Sequence, residues 1–287
     1  MFVAKDLSDY RILDTGNGRK LELWKGITLS RPDPQVIWEK TSPKLWMKAD
    51  AVYNRNDQGG GDWEFFNEVP DRWIFNYKGI RMYVKPTGFK HTGIFPEQSA
   101  NWDWMIDKIR VSRKDNIKVL NLFGYTGGAS LACLKAGADV VHVDAAASMI
   151  SWFKENLILS ELDSKKIRYM ADDCMKFVLR EQRRGNRYDA IIMDPPSYGR
   201  GKNGEVWKME KDIAPLIEAC SKILTKNPLF FMISSYTTGL SNVVMDNMVK
   251  TSVVSKFGGR VKGDTLCIPI DNSNMYLPCG TTTRWER

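Results

Sequence analysis

The segment Met193-Asp194-Pro195-Pro196-Ser197-Tyr198-Gly199 carries the clearest chemical signal in the sequence. Each proline fixes φ and removes a backbone donor. Together they leave carbonyls that can only accept, beside the Asp194 carboxylate. Such a group of acceptors suits an amino group or the edge of a flat ring, and Tyr198 offers a face on which that ring could stack. Asp194, Pro195, Pro196 and Tyr198 are therefore the candidate catalytic residues. The plainer alternative is a structural turn built on a cis proline.

Three further strand ends carry candidate cofactor contacts. Phe123, Gly124, Tyr125, Thr126, Gly127 and Gly128 form a Gly-rich turn, where missing side chains let a ligand approach the backbone and the following helix N-terminus favours an anion. Alone, this turn is a weak signal: it could bind a dinucleotide or be merely tight. Asp144 stands twenty residues after Gly124 and is followed by Ala145. A carboxylate there can accept from two ribose hydroxyls; its other role would be a helix N-cap, for which it is slightly early. Of Asp172 and Asp173, one could take an adenine amino group and the other cap the next helix, with Asp173 favoured for adenine. The set is far more specific than any member.

These residues fall at the carboxyl ends of an ordered series. Strand candidates are residues 118–122, 140–143, 167–170, 190–193 and 229–233. Helix candidates are 129–136, 147–159, 174–183, 210–225 and 242–249, after a helix over 96–111. Alternation of this kind makes a doubly wound α/β fold: a mostly parallel sheet with helices on both faces. Strand-like stretches 263–270 and 275–282, joined by Asp271-Asn272-Ser273-Asn274, add a C-terminal antiparallel hairpin, for seven strands. Residues 199–204 and 54–61 are Gly-rich and read as mobile loops, Arg200 and Lys202 of the former within reach of phosphates. Ahead of the series lies a small β-rich region, divided here as 1–94 against 95–287. It holds short strands at 11–13, 20–24 and 27–30, a rigid corner at Arg31-Pro32-Asp33-Pro34-Gln35, and a hairpin of 73–77 with 80–85. Asn17-Gly18 and Lys78-Gly79 are the turn signals.

Composition narrows the class. The net charge is +8, which suits a polyanionic partner such as RNA as well as a plain solubility surface. Five cysteines without a CxxC pair, and two histidines, argue against a disulfide framework, a metal centre or a Ser-His-Asp triad. No apolar run spans a bilayer and the start lacks a signal-peptide layout, so a cytoplasmic protein with no membrane partner is expected. Arg180, Arg183, Arg184 and Arg187 read as a solvated helix end. Trp63, Trp73, Trp102 and Trp104 read as core, and His142 as a packing residue.

Residues 86–238 resemble the family of class I methyltransferases that includes bacterial 23S ribosomal RNA enzymes making 5-methylcytosine and 7-methylguanine. The matching segments are Thr87-Gly88-Phe89-Lys90-His91-Thr92-Gly93-Ile94-Phe95-Pro96-Glu97-Gln98, then 121–130, 172–177 and 188–201. Residues 34–38 and 89–104 look closest to a bacterial branch with a short N-terminal region. The resemblance implies a Rossmann-like sheet, S-adenosyl-L-methionine as donor and an RNA substrate. It also implies Gln98 and His91 as cofactor contacts and an N-terminal region that helps hold substrate, although that region does not match the RNA-binding PUA module of some relatives. A homodimer stays open. Carbon-5 methylation of cytosine needs a thiolate nucleophile. Relatives that perform it carry a cysteine just after the fifth strand, where this chain has Ser234-Ser235-Tyr236. Transfer to a base nitrogen, which needs mainly alignment and a nearby acceptor, is preferred. The rival expectations are a methyltransferase for a small molecule or protein, a dehydrogenase, and a non-catalytic RNA-binding module with a relic pocket.

Overall fold

The computed structural model describes residues 1–56, 60–88, 90–201 and 205–287. The larger sheet is built from β1 (Lys118–Leu122), β2 (Asp139–Asp144), β3 (Ile167–Ala171), β4 (Ala190–Met193), β5 (Phe230–Ser235), β6 (Arg260–Pro269) and β7 (Tyr276–Glu286). An eighth strand, Phe2–Val3, extends the sheet beyond the seven expected; two residues are too few to show an alternation. The order is Phe2–Val3, β6, β7, β5, β4, β1, β2, β3. β1 to β5 pair in parallel, and β7 runs antiparallel to β5. The helices are α1 (Ser99–Val111), α2 (Gly128–Lys135), α3 (Ala147–Leu159), α4 (Cys174–Arg183), α5 (Met209–Ser221) and α6 (Asn242–Val249).

The central strands are mainly apolar because both faces are covered, and their polar members Asn121, Ser234 and Ser235 are buried as well. All of β4 and β5 is buried, as are Val119, Leu120 and Leu122 of β1. Strand order reverses between β1 and β4, and the crevice outside the carboxyl ends at such a point is where these sheets bind ligands. Register brings the ends level: Leu122 lies opposite both Val143 and Met193, and Met193 opposite Ile233. The turns after β1, β2, β3 and β4 therefore leave one edge.

The chain resolves into two units, one of residues 1–2, 101–266 and 280–287, the other of 3–100 and 267–279. The second holds a five-stranded sheet in the order Tyr10–Gly16, Arg19–Trp24, Ile27–Pro32, Ala51–Arg55, Gly61–Phe65, with Ile27–Pro32 parallel to Ala51–Arg55. Trp73–Tyr77 and Ile80–Val84 make the expected separate hairpin. Asn17 and Gly18 both have positive φ, 53° and 74°, as a two-residue hairpin turn requires. In the core Tyr10 packs edge-on against Trp24 at 4.5 Å. Glu22 is fully buried there and accepts from Arg31 Nε and Nη2 and from Tyr10 Oη.

Two expected loops are shorter than read. Arg55 pairs with Gly61 and Asn54 with Asp62, so the strands run into the Gly-rich stretch; its residues 57–59 lie outside the described set. Likewise Tyr198–Arg200 pairs with Val206–Lys208 as a β-ribbon, and residues 202–204, Lys202 included, are not described. Glycines masked both strand patterns.

Candidate active site

The turn after β1 is held by backbone bonds and packed rings. Gly124 N donates to Val143 O at 2.9 Å, and Gly127 N to Gly124 O at 3.0 Å. Asn156 Nδ2 donates to the carbonyl of buried Thr126 at 2.9 Å. The glycines are required by the protein itself. A Cβ on Gly124 would stand 2.3 Å from the His142 ring, one on Gly127 2.0 Å from Phe153, and one on Gly128 2.4 Å from Trp102. Gly127 also has φ +98° and heads α2 without a side-chain cap. His142 stacks on Phe153 with ring centroids 4.0 Å apart, and its Nδ1 meets Ser130 Oγ at 2.9 Å. Burial pushes its pKa down to about 3, so it stays neutral. His142 is thus a packing residue, as are Trp102, which is buried, and Trp104, which packs edge-on against Phe230.

Asp144 closes this turn from β2. Its Oδ2 accepts from Tyr125 N at 2.8 Å and its Oδ1 from Ala146 N at 2.9 Å. The cap position of α3 is Ala146, so Asp144 is not the N-cap. Burial raises its pKa against the pull of the Ala146 and Tyr125 N–H groups. Each oxygen keeps a further lone pair for a donor. Ala145, between them, is exposed.

At the end of β3 the structure separates the two aspartates. Asp173 is the N-cap of α4, accepting from Lys176 N at 2.8 Å. Asp172 donates its own N–H to Asp144 O and pairs its carboxylate with Arg180. Capping engages one Asp173 oxygen, and the ion pair engages Asp172 Oδ2. Arg180 and Arg184 thereby have partners within the fold, Asp172 and Glu181, rather than forming only a solvated end.

After β4, Asp194 is partly buried, Pro195 buried and Pro196 exposed. No peptide bond is cis among the described residues, which removes the cis-proline alternative. Pro196 O accepts from Trp207 Nε1 at 2.7 Å, and the Trp207 ring lies 4.9 Å from Phe123. Thr237, past β5, donates its hydroxyl to Ser197 Oγ at 2.7 Å. Trp207 thus ties the turn after β4 to the turn after β1. It escaped the sequence reading because its strand follows the Gly-rich stretch; the alternation Val206-Trp207-Lys208 was the available signal.

Gln98 and His91 belong to the second unit. Gln98 is buried in the turn Pro96–Gln98. Burial, then the nearby Arg31, Lys90, Lys20 and Arg55, push His91 down to about 4. Burial raises the thiols of Cys174 and Cys220, leaving neither a nucleophile at neutral pH. No group of three metal-ligating side chains occurs among the described residues, nor a helix long and apolar enough to cross a membrane.

A doubly wound sheet with a reversed last strand, bearing a Gly-rich turn and acidic residues at successive strand ends, is the arrangement of α/β folds that bind nucleoside cofactors. Residues 52–224 match the family model for S-adenosylmethionine-dependent methyltransferases, and the chain belongs to that family. This sets the dehydrogenase rival aside. The crystal structure of a SAM-dependent methyltransferase from Agrobacterium tumefaciens is 35% identical with a TM-score of 0.94, covering 99% of this chain and 92% of that one. Ribosomal RNA large subunit methyltransferase K/L from Shewanella frigidimarina is 26% identical over 216 residues, which is 75% of this chain and 28% of that protein. Ribosomal RNA large subunit methyltransferase I from Tolumonas auensis is 30% identical over 171 residues, 58% of this chain and 39% of that protein. The chain thus spans well under half the length of these curated relatives.

Proposed function

We propose that the chain transfers a methyl group from S-adenosylmethionine to a base nitrogen of RNA, in the cytoplasm. The observation that carries this reading is the acceptor pair at the end of β4, Asp194 and the Pro195 carbonyl, combined with Ser234-Ser235-Tyr236 at the end of β5 where a thiolate would be needed for carbon methylation. The ribosomal RNA methyltransferases to which the chain is similar and its net charge of +8 support RNA as the substrate.

The residues at the strand ends fit the cofactor's polar groups. The uncapped start of α2 at Gly127 and Gly128 would receive the methionine carboxylate. Asp144 would accept from the ribose hydroxyls, with Ala145 beside it, and Asp172 or Asp173 from the adenine amino group. Phe123, Tyr125 and Thr126 complete the proposed contacts of this unit. When bound, the cofactor supplies an electrophilic methyl group. The chain's own part is alignment. Tyr198 stacks on the base, and Asp194 and Pro195 O accept its N–H groups, which turns the nitrogen lone pair in one direction. Pro196 O, held by Trp207, shapes the turn. After transfer the nitrogen carries a surplus proton, and Asp194 is the group proposed to take it.

Two measurements test the reading. Calorimetric titration with S-adenosylhomocysteine should show binding that weakens at least about tenfold in Asp144→Ala. Incubation of transcribed 23S RNA with methyl-labelled cofactor should yield an N-methylated nucleoside, and Asp194→Ala should slow its formation about 100-fold or more. Binding without labelling of RNA would refute the substrate; no binding would refute the donor.

A further inference from the structure

The ribbon that follows the Asp194-Pro195-Pro196 turn has two unlike faces. Tyr198 lies opposite Lys208, Gly199 opposite Trp207, and Arg200 opposite Val206. Directly opposed residues, and residues two apart on one strand, share a face. Tyr198, Arg200, Val206 and Lys208 therefore share one face, and Gly199 and Trp207 the other. Burial follows this division. The four outer residues are exposed, Tyr198 at 51% and Val206 at 50%, whereas Gly199 and Trp207 are half-buried. The inner face docks through the Trp207 bond to Pro196 O and its contact with Phe123. Closure comes from Gly201 N to Glu205 O at 2.7 Å and Met209 N to Ser197 O at 3.0 Å.

The outer face bears a phenol ring, a guanidinium and an ammonium, and no carboxylate. Arg200 Nε donates to Tyr198 Oη at 2.9 Å, which orders both side chains and leaves the terminal guanidinium nitrogens as donors. Glu205 pairs with Lys176, Asp212 accepts from the Lys208 backbone N at 2.6 Å, and Glu210 stands exposed in the first turn of α5. A ring between two cations, on a rigid support four residues from Asp194, is complementary to a nucleic-acid strand: bases offer faces for stacking and phosphates offer acceptors for Arg and Lys.

We propose that this outer face grips the single-stranded RNA at the target nucleotide, with Arg200 and Lys208 each on a phosphate flanking it and Tyr198 under the target base. The proposal rests on the RNA reading above and specifies where the strand is held. Each phosphate neutralised on a single strand contributes about 0.7 to the slope of log binding constant against log salt. The double variant Arg200→Ala/Lys208→Ala should therefore flatten that slope by about 1.4, measured by fluorescence anisotropy with a labelled single-stranded fragment of 23S RNA. Tyr198→Ala should weaken binding about tenfold with the slope unchanged. Both variants should bind S-adenosylhomocysteine as the wild type does, which separates a local effect from misfolding. A wild-type slope in the double variant would overturn the ribbon assignment while leaving the RNA reading intact. Wild-type protein that binds no RNA would overturn both. Displacement of RNA by poly-glutamate at equal concentration would assign the face to an acidic protein segment instead.

Discussion

Replacing Gly124 by alanine distinguishes two reasons for a glycine in the turn after β1. If the residue is small so that a ligand can approach, the unliganded protein should tolerate a methyl group. The backbone φ at Gly124 lies outside the left-handed region, so alanine is not strained there, and a compatible Gly→Ala change stabilises by about 0.4–1 kcal/mol through the unfolded state. The structure predicts the opposite sign. The new Cβ would stand 2.3 Å from His142 Cε1, while ordinary contact begins at 3.4 Å, so the ring must yield by 3.4 − 2.3 = 1.1 Å. That ring is fully buried, stacked on Phe153 and bound to Ser130 Oγ. Overpacking costs about 1–3 kcal/mol, and loss of one buried hydrogen bond about 1 more. Gly124→Ala should therefore lose about 2–4 kcal/mol in urea denaturation without cofactor, with a drop in Tm of about 5–10 °C. Wild-type stability in the unliganded variant, with S-adenosylhomocysteine affinity alone reduced, would refute the packing argument and restore the ligand-approach reading.

Other consequences concern charge. Burial pushes the Glu22 carboxyl up, but Arg31 and Lys20 outweigh it and hold it below 4.5; the stability it contributes is present above that value and lost as pH falls through the lower folded pKa. Glu22→Gln should cost about 3–5 kcal/mol at pH 7 by leaving Arg31 buried without its partner, read from the urea midpoint. Asp173→Ala should cost about 1 kcal/mol through loss of the α4 cap, measured the same way. Burial raises the Asp144 pKa above 3.8, and the ionised form is the one that accepts from both ribose hydroxyls. Affinity for S-adenosylhomocysteine should therefore fall on acidification at a higher pH than for an ordinary aspartate, checked by calorimetry across pH.

Much of the catalytic unit was legible because parallel central strands advertise themselves as continuous apolar runs ending in Gly or Asp. The ranges expected for β1, β4, α3, α4 and α6 coincide with those observed. Sequence was weaker where one residue type serves two purposes. Asp172 and Asp173 are interchangeable as letters, and only the bond from Lys176 N identifies the cap. The glycines of the turn carry no mark of the rings that crowd them, since His142, Phe153 and Trp102 come from separate elements. The Tyr198 ribbon was hidden by its glycines, and Phe2–Val3 by its length.

Asp144 illustrates how shape and binding are joined in this site. Phe123 and Tyr125 are non-glycine residues with φ of 56° and 51°. Each left-handed residue costs on the order of 1 kcal/mol or more and persists only where its surroundings hold it. At Tyr125 the holding bond comes from Asp144 Oδ2. Removing the carboxylate in Asp144→Ala therefore frees the turn and deletes the proposed ribose acceptor together, and lost affinity alone does not apportion the two. The asparagine variant does. Its amide oxygen can still accept from Tyr125 N, but its NH₂ cannot accept from Ala146 N or from a hydroxyl. If the carboxylate serves chiefly to shape the turn, Asp144→Asn should bind S-adenosylhomocysteine much more tightly than Asp144→Ala. If it serves chiefly as the ribose acceptor, Asp144→Asn, which keeps one accepting oxygen of two, should bind well below the wild type, and both variants should lose the acid dependence that the wild type shows.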